Sequence, residues 1–416
     1  MLKNIITKRI GVIGYGLEGQ DLVHFLVAQG AGDISVFDEA EINSRAEHSG
    51  VSYTVGRLED GNYSGIELFY RSPGIKRERL EAILPEGAEI SSPTNLFFDI
   101  SKGKKVIVTG TKGKSTTSNI IYQILKDNNI DAHLGGNIGS PLLGLVDQLK
   151  NNSYTVAELS SFQLQDFKGS ADFCVFLPIK EDHLDYHKDF DEYFLAKKQA
   201  LSNMKEDGIA ILPSDHLLKK LSVSKSVDRY RYSLDKKIKS GCYLDSGDCV
   251  CSDGKTKSKI EKVGVLSTEY KIPIANILAS IALAYKLELR IRIRDVLKEF
   301  KKPRYRIEVI NTSSGITFLN DSALTNPIST IEAIKLMTEP FVLIMGGSSK
   351  KLDYKGLAAL VSESKLIKKV LLFGQTTTEI KKALDGADCT KMVLTKNNLN
   401  EVFEEIVSGR KDYRNV

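Results

Sequence analysis

Residues 104–121 read KKVIVTGTKGKSTTSNII. An apolar, β-branched run, Lys104–Val108, enters a turn holding Gly110 and Gly113, and a helical pattern follows from Ser115 to about Lys126. Strand, glycine turn and helix in that order make a phosphate cradle. The glycines let backbone N–H groups close around phosphate oxygens, and the helix N-terminus adds a favourable dipole. Lys114 is placed to reach the outer phosphates, and the Ser115 hydroxyl can sit on Mg²⁺. The common form of this loop is GxxxxGK[ST]; here Val108 stands five before Gly113, so the loop is a shorter variant. A basic turn that merely caps a helix is the competing reading, and the coincidence of strand, glycines, Lys-Ser and helix weighs against it.

Upstream, residues 9–14 (RIGVIG) form another short apolar run ending at glycine, followed by a helical pattern from Leu17 to about Gln29 and a strand, Ile34–Phe37, ending at Asp38. This is a βαβ opening in which Gly14, Gly16 and Gly19 match GxGxxG, with an acidic residue about twenty positions on. Alone, the pattern suits a nicotinamide oxidoreductase, a nucleotide-sugar binder or a tight structural turn. A further strand, Leu68–Tyr70, stops at Ser72-Pro73-Gly74. Downstream, strands are expected at Tyr154–Ala157, Phe173–Leu177 and Ile209–Leu212, and helices at Phe190–Met204 and Pro273–Lys286, with a turn-rich set of hairpins across 228–270. Strands at Ile316–Leu319, Phe341–Met345 and Lys369–Phe373 alternate with helical segments in the last part. The fold class is therefore α/β. Three domains are expected: Rossmann-like over 1–97, a central ATPase domain with a mostly parallel sheet over 98–298, and a second Rossmann-like domain over 299–416.

The 58 basic and 53 acidic residues are intermixed and leave a net charge of +5, which suits an anionic small molecule and lacks the clustered basic surface of a nucleic-acid binder. There is no apolar run of roughly 18 residues, so no membrane-spanning helix is expected. The N-terminal stretch MLKNIITKRIGVIGYG runs into the glycine turn without a cleavage site and reads as a first strand. Five cysteines, Cys174, Cys242, Cys249, Cys251 and Cys389, contain no CxxC pair, which argues against a zinc ribbon and for free thiols in a reducing cytosol. Cys242, Cys249 and Cys251 fall in a stretch punctuated by Ser246-Gly247 and Asp253-Gly254, as in a hairpin.

Chemistry clusters after the phosphate loop. Glu158 ends the Tyr154–Ala157 strand, where a second Mg²⁺ ligand belongs. Residues 181–187 (EDHLDYH) could be a solvated acidic loop, and His183 alone would read as a structural histidine. Lys197, on a helix, would ordinarily be solvated.

Taken together, GTKGKST (110–116), GGNIGSP (135–141), ELSSFQL (158–164), EDHLDYH (181–187) and YFLAKKQ (193–199) resemble the Mur ligases in order and spacing. PRYRIE (303–308), NDSALTNP (320–327) and GGSSKKLDY (346–354) extend the likeness over nearly the whole chain. ELSSFQL and the N-terminal GYGLEG…VFD most resemble the branch that adds D-glutamate to UDP-N-acetylmuramoyl-L-alanine.

The resemblance implies an ATP- and Mg²⁺-dependent ligase of peptidoglycan synthesis that works through an acyl phosphate. It also implies a cytoplasmic, monomeric enzyme without nucleic-acid or membrane partners. Gly14, Gly16 and Asp38 would hold the UDP moiety with Ser72, Pro73 and Gly74 nearby, while Asn137, Ser160 and Gln163 would sit by the muramoyl part. Gly110, Thr111, Lys112, Gly113, Lys114, Ser115 and Thr116 would cradle ATP, with Asn276, Arg306 and Asp321 contacting it as well. Ser115 and Glu158 would bind one Mg²⁺, and His183 with carbamylated Lys197 a second; Lys198 is the alternative if the register differs by one. Thr325 and Lys350 would meet the amino-acid side.

The chain departs from the family at Ile272-Pro273, where a His-Asn pair is usual, at Pro178 in place of asparagine, and at Ala323 in place of lysine. It also ends at Arg414-Asn415-Val416 without the family's Ser-Pro-rich segment, which leaves two readings, an incomplete third domain or a different handling of the amino acid. A ligase for another amino acid, a folylpolyglutamate synthase-like enzyme and a nucleotide-binding member without ligase activity are the alternatives. The glycine-rich first domain argues against the folate enzyme.

Overall fold

Near-continuous apolar runs such as Ile10–Ile13 and Val106–Val108 are buried on both faces, which is the pattern of parallel strands covered by helices. The computed structural model describes residues 2–42, 48–184, 186–214, 224, 226–300, 307–312, 315–322, 324, 326–349, 352–409 and 415–416. Two compact units result: residues 1–261 with 275–296, and residues 262–274 with 297–416.

The first unit holds two sheets. Strands β1 (Ile10–Ile13), β2 (Ile34–Asp38), β3 (Val51–Val55), β4 (Leu68–Arg71) and β5 (Glu89–Ser91) pair in parallel in the order β3-β2-β1-β4-β5. The order reverses at β1, so the loops leaving β1 and β4 flank the crevice where such sheets bind ligands. The Pro93–Ile100 helix, capped by Ser92 Oγ accepting from Asn95 N at 3.1 Å, leads to the second sheet. Its Phe97 and Phe98 join Ile10, Leu22, Ile107 and Phe167 in one core shared by both sheets.

The second sheet contains β6 (Lys104–Thr109), β7 (Ala132–Gly136), β8 (Tyr154–Glu158), β9 (Ala171–Phe176), β10 (Met204–Pro213), β11 (Asp228–Ser233), β12 (Ser240–Asp245), β13 (Asp248–Asp253) and β14 (Lys257–Glu261). Its order is β14-β13-β12-β11-β10-β9-β6-β8-β7, parallel except for the antiparallel edge β12–β14.

Three expectations are corrected. The helix expected to reach Met204 ends at Ser202, and Met204 already pairs with Ala171 in β10. Within 228–270, residues Val263–Tyr270 form a helix that buries Val263 and Leu266, a spacing of three. Finally, Cys242 and Cys251 are not free thiols. They face each other across β12 and β13 and form a disulfide, while Cys174, Cys249 and Cys389 are free. The bridge is a product of strand register, which spacing alone does not reveal.

In the second unit, β15 (Glu308–Asn311) and β16 (Thr317–Asn320) form an antiparallel pair. β17 (Phe341–Gly346), β18 (Ile367–Phe373) and β19 (Met392–Thr395) form a parallel sheet, packed by helices such as Lys355–Glu363. Asn415 bridges Thr317 and Phe341. No described helix is long and apolar enough to cross a membrane.

Candidate nucleotide and ligase site

The phosphate loop leaves the carboxyl end of β6 between β8 and β9, and the register pairs Val108 with Glu158 and Thr109 with Phe176. That register places Glu158 beside the loop. Gly110 and Gly113 have φ of 147° and 83°, and each is also closely approached. A Cβ at Gly110 would lie 2.5 Å from Leu177 Cβ, and one at Gly113 2.3 Å from Asn276 Oδ1. Asn276, expected at the ATP site, thus packs against the phosphate turn. Thr111 locks the loop to its neighbours: its Oγ1 donates to Lys180 O and accepts from Lys180 N, both at 2.9 Å, and lies 2.9 Å from Tyr193 OH. Lys114 Nζ donates to the carbonyls of Gly110 (3.1 Å) and Thr111 (3.0 Å), so the ammonium sits directly over the turn. Ser115 and Thr116 follow in the first turn of the Lys114–Asp127 helix.

Glu158 is 1% exposed. Its Oε1 accepts from Asn137 Nδ2 at 2.9 Å, whereas Oε2 is buried with no hydrogen-bond partner among the described residues. A buried carboxylate oxygen with an open acceptor position fits a hard cation such as Mg²⁺. Lys112 Nζ pairs with Asp182 Oδ2 at 3.2 Å. Burial pushes the Asp182 carboxyl up, but Lys112 and His183 beside it hold it below its ordinary value. His183 adopts φ 54° and is partly exposed, with Nε2 3.9 Å from Asp182 Oδ2.

Lys197 is 1% exposed and lies over the Tyr193 ring at 4.9 Å. Burial, reinforced by Lys114, drives its ammonium well below the ordinary lysine range, against the opposing pull of Asp182 and Glu158. The neighbouring Lys198 is only half-buried, so Lys197 is the lysine on the inner face. Lys114, Glu158, Asp182 and Lys197 therefore form one electrostatic cluster at the carboxyl ends of β6 and β8.

On the first sheet, Gly14 (φ 89°) receives Ser72 Oγ on its carbonyl at 2.6 Å, and the Asp38 carboxylate accepts from the backbone N–H groups of Tyr15 and Ala40. Asp38 therefore braces the turn it was expected to serve. Gly16 caps the Leu17–Ala28 helix, and Pro73 and Gly74 follow Ser72 in the loop after β4. Ser160 and Gln163 form a capping box on the short Ser161–Leu164 helix.

Sequence reasoning passed over Arg71. Its guanidinium, fully buried, donates to both carboxylate oxygens of Asp166 (3.1 and 2.8 Å), to Pro73 O, Ile75 O and Phe162 O, and to Tyr186 OH. One side chain thus ties the Ser72-Pro73-Gly74 loop to the ELSSFQ helix. His187 was overlooked too: it is buried between Ser161 Oγ (3.0 Å) and Glu192 Oε1 (3.3 Å), and burial lowers its pKa. An arginine directly before Ser-Pro-Gly was the available signal for the first, whereas nothing local marked the second.

In the second unit, Asp321 follows β16 directly. Arg306, Thr325, Lys350 and Ala323 lie outside the described residues.

The Mur ligase middle domain matches residues 108–284. The UDP-N-acetylmuramoylalanine–D-glutamate ligase of Acetivibrio thermocellus is 31% identical over 391 residues, covering 92% of this chain and 83% of that protein. Among solved structures, MurF from Acinetobacter baumannii has the same fold at TM-score 0.60 and 16% identity, covering 95% of this chain and 83% of that one. MurF from Thermotoga maritima, solved with ADP, does so at TM-score 0.55 and 17% identity, covering 99% and 97%. With its phosphate loop, buried Glu158 and buried Lys197 in place, the chain belongs to the Mur ligases, in their UDP-N-acetylmuramoylalanine–D-glutamate ligase family.

Proposed function

We propose that this protein joins the amino group of D-glutamate to the carboxyl group of UDP-N-acetylmuramoyl-L-alanine at the expense of ATP, in peptidoglycan synthesis. The observation that carries this is the cluster of Lys114, Glu158 and Lys197 around the phosphate loop, in a chain 31% identical to a ligase of that name. The domain roles in this reading are residues 1–97 for the UDP substrate, 98–298 for ATP and 299–416 for the amino acid. A monomeric, cytoplasmic enzyme without nucleic-acid partners fits this role.

The residues divide the work as follows. The N–H groups of the 110–116 turn and the dipole of the Lys114–Asp127 helix hold the ATP phosphates. Lys114, now on the loop carbonyls, turns its ammonium to the γ-phosphate and offsets the charge that builds there. The substrate carboxylate attacks that phosphorus, giving an acyl phosphate and ADP; the D-glutamate amine then displaces phosphate from the acyl carbon to give the amide. Asn276, packed under Gly113, fixes the shape of the turn, and Asp321, Arg306, Thr325 and Lys350 remain the residues proposed for contact with ATP or the amino acid.

Ser115 and Glu158 would hold one Mg²⁺, and His183 a second together with Lys197 once its neutral amine is carbamylated. Mg²⁺ supplies charge neutralisation, letting two anions approach. Burial lowers the Lys197 pKa and so favours the uncharged, nucleophilic amine that carbamylation requires.

The test is phosphate release from ATP with Mg²⁺, UDP-N-acetylmuramoyl-L-alanine and single amino acids. Turnover should need both the nucleotide substrate and D-glutamate. Turnover with a different amino acid, or none at all, would refute the assignment.

A further inference from the structure

The turn proposed to hold the UDP moiety carries an acid where an anion is to bind. Glu18 is the second residue of the Leu17–Ala28 helix, inside GYGLEG, at the positive end of the helix dipole. Its Oε1 accepts from Gln163 Nε2 at 2.8 Å. The capping box fixes that amide, because Gln163 Oε1 already accepts from Ser160 N (2.8 Å) and Ser160 Oγ (3.0 Å). The NH₂ group must therefore face Glu18, which makes it a neutral donor across the junction of the two sheets.

The charged neighbours do little to hold a carboxylate there. Asp21, one turn on, adds like charge and is itself held by Gly144 N at 3.2 Å, with His24 on the same helix near it. Arg71 from β4 is the cation facing Glu18, but its hydrogen bonds go to Asp166, Tyr186 and backbone carbonyls. The turn has no slack to swing Glu18 away with the backbone, since a Cβ at Gly19 would lie 2.2 Å from Gly14 O.

Resting on the proposed UDP-substrate reading, we propose that Glu18 is a proton-linked specificity residue: when the diphosphate of the nucleotide substrate binds at the β1 turn, the Glu18 carboxyl takes up one proton from solvent. Protonation removes the repulsion between two anions at one helix end and leaves the Gln163 hydrogen bond in place, because a protonated carboxyl retains an acceptor oxygen. Burial, with Asp21 adding to it, pushes the Glu18 carboxyl up to about 7, against the opposing pull of Gln163 and Arg71, so the proton is available at neutral pH. Below that value the site is already protonated and binding takes up little; above it, affinity should fall by up to about tenfold per pH unit.

The experiment is calorimetric titration of the full chain with UDP and with UDP-N-acetylmuramoyl-L-alanine, in buffers of different ionisation enthalpy, at about pH 6 and about pH 8. Wild type should take up close to one proton at the higher pH and much less at the lower. Glu18→Gln, which keeps the acceptor for Gln163, and Glu18→Ser should take up almost none and lose the pH dependence of affinity. Equal uptake in wild type and both variants would overturn the proton linkage while leaving the nucleotide site intact. Absence of binding by wild type at either pH would overturn the site reading, and the linkage with it.

Discussion

The turn after β1 and the turn after β6 are the same backbone device. Each follows a buried parallel strand, bends through positive-φ glycine and opens a helix. Their charges are opposite. The β6 turn carries Lys112 and Lys114, whereas the β1 turn carries Glu18, with Asp38 bracing it and Asp21 one turn further. A glycine turn thus supplies a place for phosphate, but the side chains around it decide what the place does. Fixed cations can stabilise charge that develops during phosphoryl transfer. At the acid-lined turn the facing cation, Arg71, is already bound to Asp166, so this turn suits holding a diphosphate that does not react.

Removing the difference at the reactive turn should have the largest effect. Lys114→Ala should lower kcat/KM for ATP in the phosphate-release assay by about a thousandfold or more, equivalent to about 4 kcal/mol. A loss under tenfold would mean that the positive charge of this turn is not what separates it from the β1 turn. The same assay on Lys197→Ala, with and without added short-chain carboxylic acids, probes the carbamate: carboxylate rescue is expected for the alanine variant and would not occur if the lysine acts only as a cation.

Next comes the side chain on which the first sheet depends for its cation. Arg71 and Asp166 are 0% and 3% exposed, and Arg71→Met would strip the buried Asp166 carboxylate of its close, bidentate partner and leave it the half-buried Arg77 at 3.7 Å. Urea unfolding should show a loss of roughly 3–5 kcal/mol. Arg71→Met with Asp166→Leu should recover much of that loss, because the cost lies chiefly in a buried carboxylate that has lost its closest cation. If the double variant is as unstable as the single one, the guanidinium matters mainly for the carbonyls of Pro73, Ile75 and Phe162.

How much of this was legible in the sequence follows the range of the contacts. GTKGKST could be read because strand, glycines, lysine and helix adjoin in the chain, and Glu158 because it ends the next strand of the same sheet. Lys197 was legible only through resemblance: a lysine on a helix is ordinarily solvated, and its burial depends on packing against β6 and β9. The Arg71 hub joins residues up to 115 positions apart, and the Cys242–Cys251 bridge depends on the β12–β13 register. Neither leaves a local period or spacing to read. Ser160 and Gln163 were legible as polar residues of a motif, but their capping geometry was not.

Stability against pH should separate the turns more finely. The Glu18 carboxyl, raised from 4.5 to about 7, binds its proton more tightly in the folded chain. Its favourable contribution is complete below about 4.5 and is lost as pH rises towards 7. At about pH 8, Glu18→Gln should therefore stabilise the protein relative to wild type, by at most about 3 kcal/mol; at about pH 4 the two should coincide. Denaturant titrations at the two pH values measure this directly. A constant offset at both would show that burial of the charge at the β1 turn is not the cause.

The smallest expected effect tests whether the two turns are equally demanding of glycine. At Gly113 the backbone is left-handed and Asn276 closes the space, so Gly113→Ala would add strain of about 1 kcal/mol and force Asn276 aside. At Gly16, φ is −68° and a Cβ would meet nothing within 4 Å, so Gly16→Ala should change unfolding free energy by no more than about 0.5 kcal/mol. If Gly16→Ala nevertheless raises the Kd for UDP while leaving stability unchanged, the open space beside it is where the nucleotide's phosphates approach the backbone. If Gly16→Ala alters neither quantity, that glycine serves only to cap its helix, and the diphosphate must be held nearer Gly14 and Ser72.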